Sequence, residues 1–362
     1  MTKNDQPVLA NAFYTPTILP AIEELLARGI ALERIEGELR RSTFELRTPF
    51  SRAPLFLSRR FWALALETSG DPMLGLLAGR RFTSTLTNGL TYLFDAAGTL
   101  ESACGYFCEH FPFFNGHLRA EVLHAGGSIQ LRLVEPGTLR SGVQSADYTL
   151  IGICGLIRRK FIASGVEHDP IFAVSLPQAQ PADCRPYTEV LHVPVHWGQP
   201  CLAVHLDPAL FSLPLTAGNQ VLEETLVTLL EQSRAHSQRS LLDEVADYIC
   251  SHLAQGPALS DFCSTQHLIE RTAARRLKAL GWSFSEMLDE YRRYYAEDLL
   301  AEQQLGLAEI SDRLGYGDVQ SFARACQRWF GCAPGNYRER LLLVGSCRSS
   351  VECARLGDAP YR

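Results

Sequence analysis

The sequence predicts an α+β N-terminal half, made of helices and antiparallel strands, followed by an all-α C-terminal half. Two observations carry this expectation. Residues 128–134 alternate apolar and polar side chains as a half-buried strand does, whereas the apolar residues after residue 240 recur at helical spacing. A length of 362 residues also fits two or three domains. We place the parts at 1–215, a helix and linker at 216–240, a helical domain at 241–345, and a disordered tail at 346–362.

The most informative segment is 307–338, whose pattern predicts three short helices. Its apolar residues at helical spacing are Leu307, Ile310, Leu314, Val319, Phe322, Cys326, Trp329 and Phe330. We expect Gly315 to end the first helix and Asp318 to cap the second, because its carboxylate can accept the amide hydrogens of the first turn. Gly331 is expected to end that helix, and Pro334 begins the third, where a missing N–H costs nothing. Two short helices joined through a glycine are typical of a helix-turn-helix, whose second helix can lie in the DNA major groove.

A second, degenerate copy of this unit is predicted over 257–280. Its second helix carries Arg271, Thr272, Arg275, Arg276 and Lys278. Between the two copies, residues 284–304 mix apolar spacing with charge, as a long connecting helix should. A stiff helix between two such units would let both enter successive major-groove faces, about 34 Å apart on one side of the duplex.

The exposed face of the second unit favours base recognition. Its polar side chains are Gln320, Ser321, Arg324, Gln327 and Arg328. Arginine and glutamine pair with guanine and adenine edges in the major groove. Residues 257–345 are nearly neutral, with eleven Lys and Arg against twelve Asp and Glu, so we expect modest affinity from one chain and stronger binding from a dimer on two half-sites. The alternative is that the arginines only form a solvated surface with the acids.

These residues match a known motif, and the C-terminal hundred residues resemble the AraC/XylS family of bacterial transcription regulators. The matching positions are Ile310, Ser311, Leu314, Gly315, Tyr316, Phe322, Arg324, Cys326, Trp329, Gly331, Pro334, Tyr337 and Arg338. In the first unit, the resemblance implies that Arg271, Ala274 and Arg275 face DNA. We add the neighbouring Thr272 to this set. In the second unit it implies Val319, Gln320, Ser321 and Arg324. It also implies two partners, promoter DNA and RNA polymerase.

Four positions depart from the family motif. His267 stands in the first turn where glycine is usual, and histidine tolerates a positive φ better than most residues. Ala273 replaces a leucine inside the first recognition helix; if that site is buried and unfilled, the loss of stability would reach ~2–5 kcal/mol. Cys326 replaces a larger phenylalanine, and Ala333 replaces a helix cap worth about 1 kcal/mol. We therefore expect the second unit to be better formed than the first.

The first two hundred residues predict a different domain. Helices are expected over 18–26, 56–68, 100–111 and 143–162, and strands over 128–134 and 171–176. Residues 193–197 and 202–206 are expected to form a closing hairpin. The order of elements over about 29–215 resembles the N-terminal effector domain of one AraC-family subgroup, the ornithine-utilisation-regulator type. The matching residues are Ser69, Gly70, Asp71, Pro72, Gly75, Leu76, Thr99, Leu100, Tyr106, Pro170, Tyr187 and 193–198. The resemblance implies a domain that senses a small molecule, dimerises, or does both.

Four residues are candidates for an effector pocket. Phe111, Phe114 and His117 could line it, and Arg132 on a strand could pair with the carboxylate of an apolar acid. The alternative is ordinary core aromatics and a surface arginine. We expect no metal and no cofactor.

Two histidines raise the question of a metal site. His192 and His196 could share one strand face as ligands, but no third ligand is evident. Hydrogen-bonded or exposed histidines are the alternative interpretation.

Composition and hydropathy suit a cytoplasmic protein, and the family resemblance implies a bacterial one associated with the nucleoid. No apolar run approaches the ~20 residues of a membrane span, and the N-terminus lacks an apolar signal core. Eleven cysteines are scattered without a C-x-x-C pair, which favours reduced thiols over a disulfide framework.

A helix is predicted between the two halves. Its apolar stripe either packs on its own domain or forms the seam of a homodimer, and a flexible hinge is expected to follow over 234–239. The stripe consists of Val221, Leu222, Leu226, Leu229 and Leu230.

These observations favour a sequence-specific, ligand-modulated transcription activator that is not an enzyme. One alternative is an enzyme in the N-terminal half fused to a DNA-binding tail, although no G-x-G-x-x-G, P-loop, H-E-x-x-H or G-x-S-x-G motif supports it. Another alternative is a structural adaptor that no longer binds DNA. Ala273 and the near-neutral charge of the C-terminal half suggest this alternative.

Overall fold

The chain forms two compact units, of which the first holds most of 12–236 and the second holds 240–347. Each unit has its own buried apolar core. In the described part of the chain, no helix combines the length and the apolar character needed to cross a membrane. The computed structural model describes residues 12–48, 51–82, 84–87, 89–125, 127–135, 140–236, 240–302 and 304–347.

The first unit mixes helices with mostly antiparallel strands, which confirms the predicted α+β class. Its helices are α1 (Leu19–Ala27), α2 (Leu32–Leu39), α3 (Thr43–Arg47), α4 (Leu55–Ser69), α5 (Leu74–Gly79), α6 (Leu90–Ala96), α7 (Leu100–Phe114), α8 (Val143–Ala163), α9 (Arg185–Leu191), α10 (Pro208–Phe211) and α11 (Gln220–His236). Its strands are β1 (Ala12–Tyr14), β2 (Arg52–Pro54), β3 (Arg119–Ala125), β4 (Ser128–Val134), β5 (Ile171–Ser175), β6 (Val195–His196) and β7 (Leu202–Leu206).

Five of the strands form one sheet in the order β3-β4-β7-β5-β6, while β1 and β2 pair separately. All neighbours in the larger sheet are antiparallel except β5 and β6, which are parallel. The predicted hairpin of 193–197 with 202–206 is therefore wrong, because β7 lies between β4 and β5 and does not pair with β6. The chain after β6 turns at Gly198 (φ 66°) and bonds back to the segment that follows β5. The backbone N–H groups of Gly198 and Gln199 donate to the carbonyls of Gln178 and Leu176, respectively.

The core of the first unit lies between this sheet and helices α7 and α8. Burial alternates along β4, so that Ile129, Leu131 and Leu133 face the core. Side chains of α7 and α8 complete it, as the alternating strand and the amphipathic helices predict. They include Leu100, Ala103, Phe107, Leu150, Ile153 and Ile157.

Helices α5 and α8 pack with their backbones in contact. A Cβ on Gly75 would lie 2.2 Å from the carbonyl oxygen of Gln144, and one on Gly79 would lie 2.7 Å from Cβ of Ile151. The Gln144 side chain fastens the contact, because its Oε1 accepts the Gly75 N–H at 2.6 Å. Any side chain at these two glycines would push the helices apart.

Several elements of the first unit escaped the sequence prediction. Strand β3 is continuous, but its sequence does not alternate regularly between apolar and polar residues, because Arg119, Glu121 and His124 fall at irregular positions. Helix α3 has a recognisable signal, since Ser42 and Glu45 form a capping box at its start.

Helix α11 continues to His236, so the first three residues of the predicted hinge at 234–239 are helical; the last three lie outside the described residues.

The second unit is entirely helical within 240–347, and its two short helix pairs confirm the two predicted helix-turn-helix units. Its helices are α12 (Leu241–His252), α13 (Leu259–Thr265), α14 (Glu270–Ala279), α15 (Phe284–Ala301), α16 (Leu307–Arg313), α17 (Val319–Phe330) and α18 (Pro334–Cys347). The tail predicted at 346–362 overlaps α18 by two residues, and 348–362 lie outside the described residues.

The predicted connecting helix is α15, which begins at a capping box formed by Ser283 and Glu286. Its 18 residues span about 27 Å at 1.5 Å per residue. It buries Met287, Tyr291 and Leu299, and it contacts α12 as well as α16 and α18. The helix therefore contacts the second helix-turn-helix unit directly through α16, and it reaches the first through α12, which contacts α14.

Candidate nucleic-acid interface

Helix α17, the second recognition helix, buries one side and exposes the other. Phe322, Cys326 and Trp329 lie in the core of the second unit. The residues expected to face DNA lie on the opposite side, where Ser321 is half-buried and the other three are exposed. They are Val319, Gln320, Ser321 and Arg324.

A short hydrogen-bond chain holds the start of α17 and the side chain of Arg324. Asp318 caps the helix as predicted: its Oδ1 accepts the Ser321 N–H at 2.6 Å and its Oδ2 accepts the Ser321 hydroxyl at 2.8 Å. The backbone hydrogen bond from Ser321 lowers the pKa of the Asp318 carboxyl below its usual value. Arg324 Nη2 donates to the same Ser321 Oγ at 2.8 Å. The guanidinium is thus positioned at an exposed surface before any ligand arrives.

Helix α14, the first recognition helix, has the same two-sided arrangement. Ala273 and Leu277 are buried, whereas Arg271, Ala274 and Arg275 are exposed. Thr272 is half-buried between these two faces. Unlike α17, this helix has no side-chain cap at its start.

Sequence reasoning missed Ile269, which directly precedes α14. Its side chain is 74% exposed, an unusual state for isoleucine, and it stands at the same end of the helix as Arg271. An isoleucine in this place suits contact with an apolar group such as a thymine methyl.

The two turns adopt the conformations that the sequence predicts. His267 has φ 53° in the first unit, and Gly315 has φ 69° in the second. Only a glycine fits at the second position, since a Cβ there would lie 2.2 Å from the carbonyl oxygen of Leu253 and 2.8 Å from the amide nitrogen of Gly256. The turn between α16 and α17 therefore touches the backbone that leads into α13.

Arg292 on α15 fixes this turn from the other side, and no sequence pattern singled it out. Its Nε donates to the carbonyl of Leu314 at 2.9 Å, and its Nη2 donates to that of Gly315 at 2.7 Å. Its guanidinium also lies over the Tyr316 ring, 4.5 Å from the centroid. These carbonyls end helix α16 and would otherwise lack helical partners.

The four effector candidates do not form one pocket. Phe111 stacks on Phe107 with centroids 4.7 Å apart, and Phe114 meets Tyr14 edge-on at 5.4 Å, all within the core. These two phenylalanines are therefore ordinary core aromatics, which is the alternative given in the sequence analysis.

His117 and Arg132 contact different partners. His117 is buried, with Nε2 3.4 Å from Oε1 of Glu135. Although burial raises the pKa of the Glu135 carboxyl, the nearby His117 ring and the hydrogen bond from the Ser141 N–H outweigh it and leave the pKa below its usual value. Arg132 alternates with the buried residues of β4 and so points to the other face of the sheet, where its Nε lies 3.2 Å from Sγ of Cys201. The predicted grouping is therefore wrong.

The two histidines proposed as possible metal ligands also separate. His192 is not on a strand; it ends α9 with φ 57°. His196 lies in β6, and its ring instead approaches that of His205, with centroids 5.6 Å apart. Among the described residues, no three His, Cys, Asp or Glu side chains form a group that could hold a metal ion.

Comparison with known proteins supports both halves of the chain. Residues 45–215 match the family model of the arabinose-binding N-terminal domain of AraC transcription regulators, and residues 263–340 match a helix-turn-helix domain model. The ornithine utilization regulator of Pseudomonas aeruginosa is 26% identical over 277 residues, which cover 75% of this chain and 79% of that protein.

The chain is also similar to a solved structure and to a further relative. The crystal structure of the transcriptional regulator CdpR from Pseudomonas aeruginosa aligns with a TM-score of 0.44 and 19% identity, covering 90% of this chain and 98% of that one. An uncharacterized HTH-type transcriptional regulator of Mycobacterium tuberculosis is 32% identical over 287 residues, or 75% of this chain and 79% of that protein. With two exposed recognition helices and these matches, the chain belongs to the AraC family of DNA-binding transcription regulators.

Proposed function

We propose that the second unit reads a specific promoter sequence with both recognition helices, each placed in a major groove. The observation that carries this is the exposure of Arg271 and Arg275 on α14 and of Arg324 on α17, on two helix pairs that α15 links by contacting α16 directly and α14 through α12. The domain limits that we propose are 1–215 for sensing and 241–345 for DNA binding.

Selection of bound sequences from random duplex DNA by the full-length protein tests this proposal, followed by footprinting of the enriched sequence. We expect two short motifs about one helical turn apart, protected on one side of the duplex. The double variant Arg275→Ala with Arg324→Ala should lose the enrichment. Binding without an enriched motif, removed entirely by moderate salt, would show that the protein contacts only the phosphate backbone.

A homodimer formed through α11 would bring two such units to neighbouring half-sites. Leu226 and Leu230 pack within the first unit, but Val221, Leu222 and Leu229 are 76, 44 and 46% exposed. One side of the stripe therefore packs against its own domain, and the other side leaves apolar surface that a second copy of the chain could cover.

Sedimentation of Leu229→Glu against Leu66→Glu tests the dimer. Leu66 is a matched control because it is 43% exposed on a different helix, α4. Loss of the dimer only in Leu229→Glu supports the seam, and a dimer that survives in both variants refutes it.

The first unit would act as a sensor that modulates activation of RNA polymerase by the bound protein in the bacterial cytoplasm. Support comes from the match of residues 45–215 to a ligand-binding domain of regulators. The absence of catalytic activity stays a prediction. Transcription of a promoter that carries the selected sequence, with purified polymerase, would distinguish activation from repression.

A further inference from the structure

The first unit contains a cleft of about 310 Å³ between α5, α8 and α9. Its lining combines apolar side chains with three arginines and three glycines. This cleft is separate from the aromatic residues and Arg132 that the sequence suggested as an effector site. The side chains that decide its chemistry are Arg80, Phe82, Arg158, Arg159 and Val190.

The space exists because α8 presents two glycines toward it. A Cβ on Gly152 would make ordinary contact with the Phe82 ring at 3.5 Å, and a Cβ on Gly155 would meet nothing within 4 Å. The close packing of α5 on α8 through Gly75 and Gly79 fixes the wall that carries Arg80.

The charge of the cleft is positive. Among the described residues that line it, three are arginines and none is acidic. Arg158 Nε donates to Asp169 Oδ2 and Arg159 Nη2 donates to Asp95 Oδ2, each at 2.9 Å. Arg80 follows the last turn of α5 and is exposed. Two guanidiniums are thus held in place by one carboxylate each, and the third adds a net positive charge.

We propose that this cleft is the effector site of the protein and that it takes a small molecule with an apolar body and a carboxylate. The carboxylate would pair with Arg80 and the neighbouring guanidiniums, because an arginine fork matches a carboxylate in two parallel hydrogen bonds. The apolar body would cover Phe82 and Val190, which are the partly exposed apolar side chains of the lining. This proposal rests on the sensor role proposed for the first unit.

The lining disfavours other classes of ligand. A cationic amine would meet three guanidiniums without a free carboxylate in the described lining. A sugar needs both donors and acceptors around its hydroxyls, whereas arginine side chains only donate. An apolar carboxylate satisfies both the donors and the apolar wall.

Titration calorimetry of the full-length protein with a head-group series tests the ligand class. We expect octanoate to bind with a single site, while octan-1-ol and octylamine bind at least tenfold more weakly. In a series from butanoate to octanoate, affinity should rise about fourfold per methylene until the cleft is full. Equal affinity for octanoate and octylamine would refute the proposed carboxylate recognition.

Paired variants test the location. Arg80→Gln should weaken octanoate about ten- to hundredfold, since it removes a charged hydrogen bond. Its control is Arg81→Gln, which removes the same charge from an exposed arginine that pairs with Glu24 and does not line the cleft. Gly155→Leu should abolish binding by filling the cleft; its control is Gly105→Leu on α7, where an added Cβ also meets nothing within 4 Å. Octanoate affinity that is unchanged in both cleft variants would overturn the proposal.

Measuring binding to the selected DNA on the same preparations separates the two proposals. If DNA binding is intact and octanoate affinity is the same in the cleft variants as in the native protein, the cleft proposal is refuted and the DNA-binding proposal is not affected. Loss of octanoate binding in the cleft variants, without sequence-specific DNA binding by the native protein, supports the cleft and refutes the DNA function.

Discussion

The indole nitrogen of Trp329 donates a hydrogen bond to Oδ2 of Asp289 at 3.0 Å, which joins the second recognition helix to the connecting helix. The other oxygen of Asp289 accepts Arg328 Nη2 at 2.5 Å. One carboxylate on α15 thus holds two consecutive side chains of α17. The orientation of α17 depends on this bond as well as on apolar packing.

Asp289→Ala should lower the free energy of unfolding of the second unit by about 1–2 kcal/mol, because the partly buried indole N–H loses its acceptor. Calorimetric melting of the full chain measures this. Glu309→Ala is the control, since it breaks only the exposed pair between Glu309 and Arg313 and should cost under about 0.5 kcal/mol. Equal losses in both variants would mean that the Trp329 bond contributes nothing.

Trp329→Ala should cost about 3–5 kcal/mol by emptying part of the core of the second unit. The ring is 8% exposed and lies near Tyr316 and Phe330, with centroids 6.3 and 5.8 Å away. The same calorimetry should show the transition of the second unit at a much lower temperature. An unchanged transition is incompatible with the observed burial.

Arg324→Ala should weaken binding to the selected DNA by about 1–3 kcal/mol and relax the preference at one base pair, if its guanidinium pairs with a guanine edge. Competition between DNA variants, followed by fluorescence anisotropy, reports both effects. Arg313→Ala is the control, since it removes one positive charge from α16 in the same unit. Uniform weakening on every sequence would assign Arg324 to a phosphate contact instead.

Arg275→Ala should weaken specific binding less than Arg324→Ala does. Helix α14 lacks a side-chain cap and packs through the small Ala273, whereas Asp318 caps α17 and orders Arg324 through Ser321. The first helix therefore holds its arginine less firmly. The same anisotropy assay decides the order, and a larger loss from Arg275→Ala would reverse this ranking of the two units.

Lys160 makes the stability of the first unit depend on pH. It is buried, with Nζ bonded to the carbonyls of Phe94, Asp95 and Ala97, and burial lowers its pKa to about 8. Between pH 8 and the unfolded value of 10.5, the unfolded chain keeps a proton that the folded protein has released, so stability rises with pH.

The matched variant for this effect is Lys160→Met, in which that titration is absent. The difference in unfolding free energy, native minus variant, should stay constant below pH 7 and grow by up to about 3 kcal/mol toward pH 10.5. Titrations of groups that Lys160 does not influence cancel in the difference. A difference that falls over this range would show that the charged amine is the favoured form in the folded protein.

The second unit was predictable because its signals are local. Asp318, Gly315 and Gly331 mark helix ends within a few residues, and 3.6-residue spacing marks the buried sides. Arg292 was not predictable, since its partners lie 22 and 23 residues away and only the folded chain brings them within reach.

The first unit was harder because strand pairing is not a local property. Strand β4 is evident from its alternation, yet nothing in 193–206 reveals that β7 pairs with β4, some seventy residues earlier. The grouping of Arg132 with Phe111 failed for a different reason, because the alternation of 128–134 already places Arg132 on the face opposite Ile129, Leu131 and Leu133. Like the sheet, the arginine cleft joins residues that are far apart in the sequence, from 79 to 190.

The contact of Gly315 with the backbone at Gly256 has a consequence for the operator. Because the turn at Gly315 touches the backbone that leads into the first helix-turn-helix unit, we expect the distance between the two recognition helices to adjust little to a poorly spaced site. One extra base pair would rotate the second motif by about 34° around the duplex axis. The double helix itself would then have to twist or bend to fit, so we expect the stiffness of base pairs that no side chain touches to contribute to the sequence preference.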